Sequence, residues 1–161
     1  MNSTPRKKAD AVQGSVAPAT EEFTQGPKSD PMVLAEVYRR RLQSEIFTNR
    51  GVLSPGMLSR IASEEAEILL NYFAEPRAEA AELRGIALCE LGLSIQSLLG
   101  LGEASRQFFL EQPSSASILP VLQAIDSYHN ALIRGFMEGR ERFVLIEQER
   151  LRSAYQRALG R

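Results

Sequence analysis

From Ile118 onward the chain sets Ile118, Leu122, Ile125, His129, Leu132, Phe136, Gly139, Phe143 and Ile146 alternately four and three residues apart. This spacing predicts a long helix whose stripe packs against other helices. After Ile146 the phase slips, and a second stripe runs through Val144, Leu151, Tyr155 and Ala158. The first stripe is expected to face the core of its own domain. The second faces something else, a partner chain or a further domain.

The same reading places four shorter helices upstream. Asp30-Pro31 is a start signal, a capping residue followed by proline at the first helical position, and Leu34, Tyr38, Leu42 and Ile46 then predict helix one up to about Thr48. Ser54-Pro55 repeats the signal for helix two, with Leu58, Ile61, Ala62, Leu69, Tyr72 and Phe73 on one face. Ala80, Leu83, Ala87, Leu88 and Leu91 predict helix three, and Gly92 breaks it. Ser94 caps helix four, whose face is read as Ile95, Leu98, Leu99, Gly102, Phe109 and Leu110. Pro113, Ser114 and Ser115 predict a turn, and Pro120 falls in the tolerated first turn of helix five. No segment alternates with period two. The expected fold is all-α, an antiparallel bundle of about five helices with a long C-terminal helix.

Composition adds boundaries. Residues 1–29 carry Pro5, Pro18 and Pro27 among Ser, Thr, Gly and Gln, with Phe23 as their one aromatic, and are expected to form a disordered leader. Residues 30–143 are then the bundle and 144–161 an extension of its last helix. The chain has 161 residues, 43% hydrophobic and 24% charged, which suits one soluble domain. A net charge of −1 gives no global pull toward nucleic acid or anionic membrane. No apolar run reaches the roughly twenty residues of a membrane span, and no apolar stretch follows Arg6-Lys7-Lys8 as in a secretory signal. The single cysteine, Cys89, excludes an internal disulfide. A cytoplasmic location is the expectation.

Candidate chemistry is sparse. A structural zinc site draws four ligands from Cys and His, and one of each is present. Asp126 lies three before His129, but the second such motif of a bundle di-metal site is missing. A lone helical histidine can be a haem ligand, so His129 is the one candidate ligand-binding residue. Its place in the inward stripe equally suits a hydrogen-bonded core histidine, the preferred reading. Cys89 reads as a small buried hydrophobe, Glu64, Glu65 and Glu67 as a solvated acidic face, and Gly100-Leu101-Gly102 as a helix-packing step. Arg39-Arg40-Arg41 fans around helix one, with Glu36 and Glu45 near enough to neutralise part of it. Gly135 and Gly139 read as close helix packing, at about 1 kcal/mol each relative to alanine. No catalytic residue, metal or cofactor is expected.

The last helix offers more. Val144, Leu151 and Ala158 repeat at seven, Gln148 and Tyr155 fill the alternate seam positions, and Glu and Arg residues intersperse them. These five residues are the expected interface of a parallel coiled-coil homodimer.

Arg84-Gly85-Ile86-Ala87-Leu88, then Leu91-Gly92-Leu93-Ser94-Ile95-Gln96-Ser97-Leu98-Leu99 and Arg106-Gln107-Phe108-Phe109, resemble the helical N-terminal domain of RsbT co-antagonist (RsbR-type) proteins. Gly135-Phe136 and Glu147-Gln148-Glu149-Arg150-Leu151-Arg152-Ser153-Ala154-Tyr155 resemble the linker helix that joins such domains to an output module. The resemblance spans roughly residues 33–159 and rests on helical patterning. It implies a bacterial cytoplasmic sensor or scaffold, usually dimeric, of the stress-response assembly called the stressosome. Some relatives adopt a globin-like fold without haem. The family's output is normally a STAS domain, and this chain ends before one, either as an excised sensory half or as a protein acting through its last helix. Three readings follow: a non-catalytic signalling module, a haem- or ligand-binding sensor using His129, and a small transcription regulator acting through helix one, although no nucleic acid is expected as a partner.

Overall fold

A computed structural model describes residues 29–112 and 117–160. The leader apart from its residue 29, and the turn expected at Pro113–Ser115, lie outside the described residues. Among those described are five α-helices and no strand: α1 (Pro31–Ser44), α2 (Pro55–Ala74), α3 (Ala78–Glu90), α4 (Ile95–Leu110) and α5 (Ile118–Ala158). The all-α expectation holds.

Local signals set the helix starts. The Asp30 carboxylate accepts from the Met32 amide, Ser54 from Met57 and Ser94 from Ser97, each supplying one of the bonds that a helix N-terminus lacks. Pro31 and Pro55 occupy first-turn positions where no amide hydrogen is needed. Helix α1 stops at Ser44 rather than near Thr48. The Ser44 hydroxyl bonds the Arg41 carbonyl and the Thr48 hydroxyl the Glu45 carbonyl, and a separate tighter 3-10 turn follows over Ile46–Thr48. The end of α3 is also built by sequence. Gly92 has φ +90, its amide reaches the Cys89 carbonyl, and the Leu93 amide reaches that of Leu88. The free Gly92 carbonyl then accepts from the Arg50 amide at 2.9 Å, tying the α1–α2 connection to the α3–α4 turn.

Helix α1 packs on α2 and α4, while α5 packs on α3, α4 and α2. The core joins Leu34, Tyr38 and Leu42 of α1 with Leu58, Ile61, Leu69 and Phe73 of α2, and with Leu98, Leu101 and Phe109 of α4. From α5 it takes Ile125, Leu132 and Phe136. Phe109 stands edge-on to both Phe73 and Phe108, with ring centres 5.3 and 5.1 Å apart.

Helix α3 corrects the hydrophobic pattern. Leu83 and Ala80 point to solvent, and the buried face is Ala81, Gly85, Leu88 and Cys89. Among the helices, the backbone of α3 comes close only to α5. A Cβ on Gly85 would lie 2.0 Å from the Leu132 carbonyl oxygen, and one on Gly135 would lie 1.8 Å from that of Glu82. Glycines thus provide the contact that the pattern assigned to Leu83. On α4, Leu99 and Leu110 are likewise exposed, and Ser97, Ala104 and Ser105 take the inward positions.

Candidate functional site

Two regions carry the residues singled out above: a buried polar crossroads on α5 and the half of α5 that leaves the bundle. At the crossroads, neighbours on α5 point into different parts of the core. The Tyr128 hydroxyl donates to the Glu65 carboxylate at 2.9 Å, and the Arg84 guanidinium ion-pairs with that same carboxylate. Arg84 also reaches Glu64 at 2.9 Å. His129 turns the other way, its Nε2 lying 3.1 Å from Ser105 Oγ, which lies 2.6 Å from the Tyr38 hydroxyl. All five helices therefore contribute one member or more.

Glu65 is a correction. It is 1% exposed and belongs to the core rather than to a solvated acidic face. Burial pushes its carboxyl up from the ordinary range, against the pull of Arg84 and of the Tyr128 hydroxyl. Burial and the Glu65 charge raise the Tyr128 hydroxyl well above its usual value.

His129 is 5% exposed, and burial first, then the Arg106 charge, lowers it to about 4. The Ser105 hydroxyl has one hydrogen, and the Leu101 carbonyl lies 2.7 Å from it. Tyr38 and His129 then both donate to Ser105, which fixes the neutral imidazole with hydrogen on Nε2. Its Nδ1 is buried without a partner. The ring lies against Gly102, where a Cβ would stand 3.5 Å from it, and edge-on to Tyr128. This is the packed core histidine of the preferred reading. Haem ligation does not fit it, because Nε2 is engaged and the ring is covered by α4. Asp126 pairs instead with Arg106 at 2.6 Å. Among the described residues, no group of three or more His, Cys, Asp and Glu side chains is placed to hold a metal ion.

The basic run of α1 is dispersed as expected. Arg39 and Arg40 both bond Glu36, which holds its carboxyl down at about 2, and Arg41 crosses Gly100 to reach Glu103 at 2.8 Å.

The second region begins where the inward stripe ends. Gly139 is the last buried residue of α5. Phe143 and Ile146, read from the sequence as inward-facing, are 46% and 52% exposed. The stripe continues as a pattern, but the neighbouring helices have run out. Phe143 keeps a contact with Arg50, whose guanidinium lies 4.6 Å above its ring. Arg50 also approaches Cys89 Sγ at 3.3 Å. From Arg140 to Ala158 the helix projects over about 28 Å.

All five residues of the expected interface lie on this projection and are exposed: Val144, Gln148, Leu151, Tyr155 and Ala158. At about 100° per residue they share one face. Met137 extends that face back onto the bundle, opposite the side that carries Gly139 and Ile146. Leu151 and Tyr155 are 70% and 67% exposed. The projection is laced by ion pairs within the helix, Arg142 with Glu138 and Arg150 with Glu147, which support it without covering the stripe.

Comparison with family models, with curated proteins and with solved structures gives no match. No helix among the described residues is long and apolar enough to cross a membrane.

Proposed function

We propose that this chain is a non-catalytic signalling module, a helical scaffold that self-associates through the projecting half of α5 and transmits changes of state along it. The observation that carries this reading is the exposed apolar face from Met137 to Tyr155, on a helix whose other end is anchored at the crossroads. An apolar face of this extent on an otherwise charged helix marks an association surface. Its continuity with the core gives a partner on the projection a rigid connection to Tyr128 and His129. The resemblance of residues 84–109 and 135–155 to RsbR-type sensor domains supports the same reading, with a bacterial cytoplasmic stress-signalling role as its specific form.

The test is the mass in solution of the full chain beside L151E/Y155E. Both side chains are exposed, so the variant should keep the helical circular dichroism of the parent and sediment as a monomer where the parent is a dimer. A variant that remains a dimer would overturn the interface. A parent that is a monomer at every concentration would overturn self-association itself.

A further inference from the structure

A groove of about 420 Å³ runs between α1 and α4, away from the projecting helix. Buried Ala104 and Phe108 and half-buried Val37 make its apolar floor. Its walls are polarised. Glu111 stands at the end where α1 begins, and Arg40 and Arg41 stand at the far end with Glu103, which Arg41 bonds. Glu36 and Glu45 also meet these arginines, but from outside the groove. The far end therefore presents two guanidinium groups against one carboxylate, and exposed pairs of this kind hold each other weakly. The chain enters α1 at the mouth of this groove, where the Ser29 hydroxyl donates to the Gln112 side-chain oxygen at 3.1 Å.

We propose that the groove is the docking site of the chain's own residues Glu21-Glu22-Phe23, folded back along α1. Phe23 is the one aromatic of residues 1–28, and Gly26-Pro27 behind it is a turn dipeptide that lets the chain reverse. From a turn at Gly26, an extended chain reaches about 10 Å to Phe23 and about 13 Å to Glu22. From Pro31, Val37 lies about 9 Å and Arg40 about 14 Å along the helix. Phe23 thus falls on the apolar floor while Glu22 and Glu21 fall beside Arg40 and Arg41. Lys28, next to Ser29, falls beside Glu111. The order of charges along the segment is the reverse of the order along the groove. The groove on the other side of α1 offers no such match: Glu36 and Glu67 there outnumber Arg39 and repel an acidic segment.

The chain has no tryptophan, so F23W places a single fluorescent probe in the full-length protein, and V12W places the same probe elsewhere in the leader. F23W should emit at shorter wavelength than V12W and be quenched less by acrylamide. Adding R40E, which alters an exposed side chain, should lower the ratio of docked to free segment at least about threefold and move both readouts toward those of V12W. Adding V37E, which charges the floor, should move them further. An F23W protein that emits and quenches like V12W overturns the docking. A probe still buried in R40E, or in a V37E variant that keeps the parent's circular dichroism, lies outside this groove and overturns the assignment. Burial that is lost on dilution places Phe23 in the groove of a second copy and overturns the fold-back.

Discussion

Tyr128 and His129 tie α5 to the other four helices, and the two halves of this tie respond differently to change. Glu65 is a buried carboxylate whose cation is Arg84, so removing Arg84 strands a charge in the core. R84A should cost about 3–5 kcal/mol, and adding E65Q should recover part of that. Urea unfolding checks it, and a loss below about 1 kcal/mol for R84A would mean that Glu65 is not charged in the fold. His129 acts through acid. Its folded value of about 4 lies below the usual 6.5, so the unfolded chain binds the extra proton first as pH falls. Stability should therefore drop between about pH 6.5 and 4, by up to about 3 kcal/mol from this residue. Glu65, raised by burial, works in the opposite sense and offsets some of the loss. Thermal melts of the parent and of H129Q across that window isolate the histidine. Parallel profiles for the two would remove His129 as the cause.

At the level of elements, the α3–α5 contact is a meeting of backbones. Alanine in place of glycine ordinarily favours a helix by about 1 kcal/mol, yet G135A would put its methyl 1.8 Å from the Glu82 carbonyl oxygen. The net effect should be a loss of at least about 2 kcal/mol, measured by chemical denaturation. G56A, with nothing within 4 Å of its added carbon, should instead be neutral or slightly stabilising. A stabilised G135A would show that α3 stands further from α5. These elements also show what the sequence could reveal. The starts of α1, α2 and α4 were legible because each depends on a cap and its neighbours within three residues. The faces of α1 and α2 were legible because leucine and isoleucine face the core there. Helix α3 was misread because Gly85 makes contact by having no side chain, which hydrophobic periodicity does not register. Glu65 was misread because its partners Arg84 and Tyr128 lie 19 and 63 residues away. Nothing local distinguishes it from Glu64 or Glu67.

As a whole molecule the protein is a packed bundle with one helix carried well beyond it. The phase slip after Ile146 marked the change of environment, although the inward stripe loses its neighbours already after Gly139. That displacement follows from the bundle's length, which no pattern within α5 encodes. The order in which the helices leave the ribosome adds a consequence for α3. The α5 backbone on which it rests, around Leu132 to Gly139, is made about fifty residues after Gly85. At about 5–20 residues per second, α3 waits roughly 3–10 s for the helix whose backbone it meets. During that interval its ties to the preceding chain are polar: Arg84 reaches back to Glu64 and Glu65, and Arg50 reaches forward to Cys89. The ion pair that stabilises the finished core is thus also among the contacts available to hold the nascent helix near its place.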